Sequence, residues 1–172
     1  VEGANLFTGR MRVVGKTLRA KLPPETTIAI NPVGVVPFFS RLRTYDMLGL
    51  TDKHIAKMRP LDMGQGQAGH EKGDGKYILA RRPDLILIGN VLTTDEDPTI
   101  LPFFRIWPIL RTEQELVGLP ELQTQYIPHA LRLLDGCWVV FLRRRDVSLP
   151  GKDFRPGSVY VPKIGRDGVP RV

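Results

Sequence analysis

Apolar residues return at helical spacing from the start of the chain, at Leu6, Phe7, Met11, Val14, Leu18 and Leu22, with basic side chains between them. This period predicts an amphipathic helix over residues 4–22, stopped by Pro23-Pro24, where the proline ring blocks helical hydrogen bonding. Short β-branched or continuous apolar runs follow. Residues 26–30 and 43–47 read as strands, and Asn31-Pro32-Val33-Gly34 between them is a turn that opens a short helix over 35–41. Thr51 or Asp52 caps a helix over 53–59, ended by Pro60, and Asp74 caps another through Arg82. Residues 84–88 form the apolar run expected of a buried, parallel strand.

After Asn90 the alternation stops. Asp97-Pro98, Pro102 and Pro108 punctuate Phe103-Phe104-Arg105-Ile106-Trp107, which is expected to pack as an excursion with short helices, and Glu113 to Val117 adds a further turn. Residues 125–134 and 137–144 flank Asp135-Gly136, a dipeptide suited to a type I′ turn, and predict a hairpin. The fold class is therefore α/β: one domain with a mixed sheet, Rossmann-like strand-helix alternation in the first half and an antiparallel hairpin in the second. The expected organisation is a basic amphipathic helix over 1–22, an α/β domain over 23–148 and an irregular Pro/Gly-rich tail over 149–172.

Composition narrows the function classes. With 42% apolar residues among 172, the chain builds an ordinary globular core, and 25 Lys and Arg against 18 Asp and Glu leave a net charge of +7 that favours anionic partners. Arg10, Arg12, Lys16, Arg19 and Lys21 concentrate that charge in the first helix, and Arg143-Arg144-Arg145 form a second cluster. Cys137 is the only cysteine, which excludes an intrachain disulfide and a cysteine-based zinc site. No apolar run approaches the roughly 20 residues of a bilayer-spanning helix. The chain opens on Val1 without a signal-peptide pattern and reads as a piece of a longer protein.

Chemistry-bearing motifs are sparse. Gly64-Gln65-Gly66-Gln67-Ala68-Gly69 matches G-x-G-x-x-G but follows a predicted helix and Pro60, so it lacks the strand that a phosphate cradle needs. Asn31 to Phe38 does lie between a strand and a helix, and Asp46 ends the next strand where a ribose-binding acid sits in nucleotide-binding folds. A soluble Rossmann-like nucleotide-binding protein or enzyme is thus the alternative reading. Asp46, His54, His70, Glu71 and Asp74 have no metal-ligand spacing, and no nucleophile motif is present, so neither catalytic residue, metal nor cofactor is expected. Phe103, Phe104, Tyr126 and Trp138 sit in core-like company, which argues against nucleic acid as a partner. The ligand-binding candidates are Asp46, Asp52, His54, His70, Glu71 and Lys72, expected at one end of the sheet because loops leaving parallel strands share an edge. The first helix is expected to dock Leu6, Phe7, Met11, Val14 and Leu18 and to turn Arg10, Arg12, Lys16 and Arg19 toward solvent or lipid headgroups.

Two runs carry a family resemblance: Asp46-Met47-Leu48-Gly49-Leu50-Thr51-Asp52-Lys53-His54-Ile55-Ala56 and Gly69-His70-Glu71-Lys72. With Asn31 to Gly34, Phe38-Phe39-Ser40 and Arg82-Pro83-Asp84, they resemble the soluble C-terminal domain that follows the membrane helices in bacterial polytopic glycosyltransferases of the GT-C type, including arabinofuranosyl- and mannosyltransferase-like proteins. The resemblance runs from about Gly9 to Arg145. It implies an accessory domain on the extracytoplasmic, periplasmic side of the inner membrane, beside its own transmembrane domain, helping to bind or orient a glycan acceptor or a polyprenyl-phosphate-linked sugar donor. It also implies that the catalytic carboxylate belongs to loops of the membrane part, so that the domain is not expected to be catalytic in isolation. Phe38-Phe39 depart from that family's pattern, in which tyrosines are common there. A basic helix beside such a membrane gains on the order of 1 kcal/mol per cation from anionic headgroups.

Overall fold

The computed structural model describes residues 2–66, 68–164 and 170–171. Helix α1 (Glu2–Lys21) leads into β1 (Thr27–Ile30), α2 (Val35–Ser40), β2 (Arg43–Asp46), α3 (Lys53–Lys57), α4 (Gly75–Ala80) and β3 (Leu85–Ile86). Then come β4 (Thr93–Thr94), β5 (Phe104–Arg105), α5 (Arg111–Val117), α6 (Pro120–Gln125), β6 (Tyr126–Arg132), β7 (Trp138–Arg144), β8 (Lys152–Asp153) and β9 (Val159–Tyr160). Strand β1 pairs in parallel with β2 and β3, and the antiparallel hairpin of β6 and β7 joins them through β3, giving one mixed sheet in the order β2-β1-β3-β7-β6-β8. The α/β class and the mixed sheet agree with the sequence reading.

Strand parity sorts the side chains into two cores. Ile28, Ile30, Leu85, Leu87, Val139 and Phe141 pack under Met11, Val14 and Leu18 of α1 and Val36 of α2. Ala29, Ile86, Ile88, Val140 and Leu142 face Ile55, Ile78 and Leu116 of α3, α4 and α5. Because both faces of β1 and β3 are covered, these strands show no polar alternation.

One irregularity positions the site. Both β3 and β4 lie on the same edge of β7, with Ile86 opposite Leu142 and Thr93 opposite Val139. An unbroken register would put residue 89 opposite Val139, so four extra residues are looped out between the two strands. Gly89, Asn90 and Val91 turn this loop with φ of 70°, 56° and 65°. For Asn90 and Val91 that left-handed backbone is strained, and only surrounding structure sustains it.

Several expectations are corrected. The aromatic segment does not form short helices: Phe104-Arg105 is a strand parallel to Val159-Tyr160, so the tail supplies the backbone partners of this segment. Nor is the tail irregular throughout, since β8 pairs with β6 and Phe154 is buried. His129 pins this part through Asp153 Oδ1 at 2.5 Å and the Pro150 carbonyl at 3.0 Å. Burial works to raise the Asp153 carboxyl, yet hydrogen bonds from His129 and Arg143 outweigh it and hold the group below the usual carboxylate range. The hairpin turns by a three-residue loop with only Gly136 at positive φ, 91°, and not by a type I′ turn, as the Leu133 N–H bond to the Cys137 carbonyl shows. Helix α6, with Pro120 at its first position, occupies residues that carry no helical period of their own. Finally, α1 docks from Met11 onward, whereas Leu6 and Phe7 are 75% and 41% exposed. Arg10 turns not to solvent or headgroups but to Asp135 at the hairpin tip, 2.8 Å away.

Two glycines of α1 have opposite roles. A Cβ on Gly15 would stand 2.8 Å from both Phe39 Cβ and the Val36 carbonyl oxygen, whereas one on Gly9 meets nothing within 4 Å. Gly9→Ala is expected to raise stability by up to about 1 kcal/mol through helix propensity. Gly15→Ala, which must push α2 away against its own backbone, is expected to lose about 1–3 kcal/mol net. Thermal unfolding of the pair checks the sign of each change.

Candidate functional site

The parallel strands end on one edge, with β2 on one side of β1 and β3 on the other. The link from β1 to β2 covers one face of the sheet and the link from β2 to β3 the other, and such a parting of connections leaves a crevice beyond the strand ends. Asn31 follows β1, Leu48 and Leu50 follow β2, and Asn90 belongs to the loop after β3. Together they line a crevice of about 330 Å³. Its apolar walls are Phe7, Leu50 and Ile109, and its polar groups are Asn31, His70 and Asn90.

Below it lies Glu113, fully buried in the first turn of α5. Its Oε1 accepts from Asn31 Nδ2 at 2.6 Å and from the Asn90 N–H at 3.4 Å. Its Oε2 accepts from the Ile109 N–H at 2.6 Å and the Leu110 N–H at 3.4 Å. One carboxylate thereby ties the loop after β1, the loop after β3 and the start of α5. Burial raises the Glu113 carboxyl above its ordinary range, and backbone donors such as Ile109, Asn90 and Leu110 only partly offset this. Since only an NH₂ group can face the ionised carboxylate, Glu113 also orients the Asn31 amide. Among the described residues the buried Asn31 Oδ1 has no hydrogen-bond partner, in a residue that is 2% exposed.

The six sequence candidates reach the same edge but use their polar atoms differently. Asp46 is buried, and its carboxylate accepts from the Leu48, Gly49 and Asp52 N–H groups at 2.8, 3.0 and 3.3 Å and from the Thr51 hydroxyl at 3.1 Å. It builds the loop and presents nothing to a ligand, neither as a binding carboxylate nor as a ribose acceptor. Asp52 caps α3 through the His54 and Ile55 N–H groups and accepts the Tyr77 hydroxyl at 2.9 Å. His54 stacks on Tyr77 with ring centroids 4.1 Å apart and meets Asp74 at 2.9 Å. Glu71 accepts the Gly64 and Gly66 N–H groups at 2.7 and 2.8 Å, so these donors of the G-x-G-x-x-G run are taken by a carboxylate of the same loop. Gln67 of that run lies outside the described residues. Lys72 donates to the Ala56 carbonyl, which clips the two signature runs together. Of the six, only His70 lines the crevice.

Sequence reasoning passed over Asn31, Asn90 and Glu113 as site residues. Glu113 has no capping-box signature, because the residue before α5 is Leu110 instead of Ser or Thr. The available signal was Gly89-Asn90, a turn dipeptide directly after the apolar strand. Among the described residues no three His, Cys, Asp or Glu side chains are grouped to hold a metal ion. No helix among them is long and apolar enough to cross a membrane.

A family described as a domain of unknown function, DUF8728, matches residues 4–149. The chain belongs to this family. No curated protein and no solved structure matches it. The DUF8728 match takes in every residue of the crevice and Glu113, and stops before β8 and β9.

Glu113→Ala leaves the Asn31 amide and the Ile109 N–H without acceptors, at about 1–3 kcal/mol each, and should lower the urea midpoint. Glu113→Gln keeps an acceptor and should cost less. With its pKa raised by folding, Glu113 keeps a proton that the unfolded chain has already released, so its contribution to stability falls as pH rises above the ordinary glutamate range. The stability of the parent minus that of Glu113→Gln should therefore decrease with pH across that window, as measured by urea titrations in a pH series.

Proposed function

We propose that this DUF8728 chain is a binding module of a membrane glycosyltransferase. In this reading it holds a glycan acceptor, or the sugar of a polyprenyl-phosphate-linked donor, in the crevice beyond β1, β2 and β3. The carrying observation is the crevice itself: apolar walls beside Asn31, whose buried amide oxygen has no partner among the described residues. A sugar ring offers both complements, C–H faces for Phe7 and Ile109 and hydroxyl donors for Asn31 Oδ1, and a buried acceptor left unpaired is costly enough to make such pairing favourable. Oδ1 has less than 1 Å² exposed, so a hydroxyl reaches it by displacing a wall side chain. Leu50 and Ile109, 69% and 53% exposed, are the least confined of these.

Two further considerations support a binding role without chemistry of its own. Glycosyl transfer and hydrolysis call on carboxylates facing the reacting bond, whereas Asp46, Asp52, Glu71 and Glu113 all accept loop or cap N–H groups. The sequence resemblance implies that the transferase lies in a membrane part, with this domain beside it on the periplasmic side. The rival nucleotide-binding reading gains nothing from Asp46, committed to its own loop, or from the Gly64 and Gly66 N–H groups, which Glu71 already accepts.

Titration of the ¹⁵N-labelled domain with methyl furanosides, methyl pyranosides and short oligosaccharides is expected to shift the Asn31, His70 and Asn90 resonances. Asn31→Leu should weaken that binding about tenfold, the worth of one buried hydrogen bond. No sugar transfer is expected when the isolated domain is incubated with polyprenyl-phosphate sugars and acceptors. Turnover lost on changing a residue of this chain would overturn the accessory reading.

A further inference from the structure

The crossing of α1 and α2 gathers basic side chains around two phenylalanines. Arg12, Gly15, Lys16 and Arg19 stand at i, i+3, i+4 and i+7 and so share one face of α1. At Gly15 the helices are close enough to exclude a Cβ. The Arg12 guanidinium lies 5.4 Å and the Lys16 ammonium 5.9 Å from the centroid of the Phe39 ring. Phe38 meets Phe39 edge to face at 5.1 Å and is itself 75% exposed. Arg41, just past α2, is exposed as well. Among the described residues Arg12, Lys16, Arg19 and Arg41 make no ion pair, whereas Arg10 on the same helix is paired with Asp135.

A lone exposed apolar residue needs no explanation. Here the large Phe38 ring projects beside Phe39, which has cations over it that, among the described residues, no carboxylate pairs. That combination matches the interface of an anionic bilayer, where aromatic rings sit at headgroup level and each nearby Lys or Arg gains from the surface potential. We propose that Phe38, with Arg12, Lys16, Arg19 and Arg41, forms a docking patch for an anionic lipid surface, Phe38 entering the headgroup layer. This surface stands on α1 and α2 alone and does not depend on the crevice reading. Helix α1 nevertheless links the two: Phe7, on the crevice wall, precedes Arg12 by five residues, a rise of about 7.5 Å. Docking through the patch would hold the crevice mouth close to the lipid surface.

The whole chain is mixed with vesicles of phosphatidylcholine alone or with phosphatidylglycerol, and sedimentation reads the bound fraction. Binding is expected only to the anionic vesicles at low salt, and is expected to disappear near 0.5 M salt, where screening is complete within about 4–5 Å. Phe38→Ala should weaken the partition roughly tenfold. Arg12→Glu with Lys16→Glu should weaken it more, and Lys53→Glu with Lys57→Glu, the same charge change on α3 across the sheet, should leave most of it. Melting temperatures of the Phe38 and Arg12/Lys16 variants should stay near the parent's, since these side chains are exposed. The proposal is overturned if the parent chain does not bind anionic vesicles at low salt, if Phe38→Ala binds as well as the parent, or if the α3 reversal costs as much as the α1 reversal. It is overturned equally if a single-stranded oligonucleotide binds more tightly than the vesicles and loses that binding with Phe38→Ala, which would assign the patch to nucleic acid.

Discussion

A single buried carboxylate holds the working edge of this molecule together. Parallel strands leave their loops at one end with backbone donors and acceptors that neither sheet nor helix satisfies, and a crevice there keeps its shape only if something inside pairs them. Glu113 does this from α5, receiving one N–H from the loop after β3, two from the start of its own helix and the Asn31 amide after β1. Taking a carboxylate out of water is unfavourable, and the four donors are what make the burial sustainable. The strained backbone of Asn90 and Val91 lies within the same network, so its cost is met by the contacts it enables.

The same logic explains why most polar residues at this edge have nothing left to offer a ligand. Asp46, Asp52, Glu71 and Lys72 each close a turn or cap a helix, and the Asp52, Tyr77, His54 and Asp74 group joins the beginnings of α3 and α4. A run of charged and hydrogen-bonding residues in a sequence is thus compatible with two quite different uses. Here one of them is realised almost throughout, and the groups that remain oriented on the crevice are amides and an imidazole. A floor of amides and an imidazole between apolar walls, lined among the described residues by no lysine or arginine, offers hydrogen-bond partners to hydroxyls and no ammonium or guanidinium to a phosphate.

In the proposed reading, helix α1 gives the domain a second binding surface. Its apolar stripe from Met11 to Leu22 closes one core, and the turn before that stripe reaches past the sheet to the crevice. The next face carries the cations over Phe39, beside the exposed Phe38. Burial, crevice lining and charge occupy different sides or ends of one helix, which is possible because its 20 residues span about 30 Å.

Patterns repeated over several residues were legible from the chain alone. The helical period from Leu6 to Leu22, the apolar runs of β1 and β3, the caps Asp52 and Asp74 and the β6–β7 hairpin all arise from local physics, so the α/β class and its mixed sheet followed from them. Where the local signal was weak, the tertiary structure decided. β5 is a strand because the tail runs beside it, the hairpin turn gained a residue over the Asp-Gly expectation, and Leu6 and Phe7 stay exposed because the sheet ends beneath them. Apart from His70, the candidate site belongs to this second class. Asn31 and Glu113 are 82 positions apart, and nothing in the neighbours of either announces the other. Their pairing depends on how the strand order brings the end of β1 against the start of α5, a long-range juxtaposition that no local period or motif encodes.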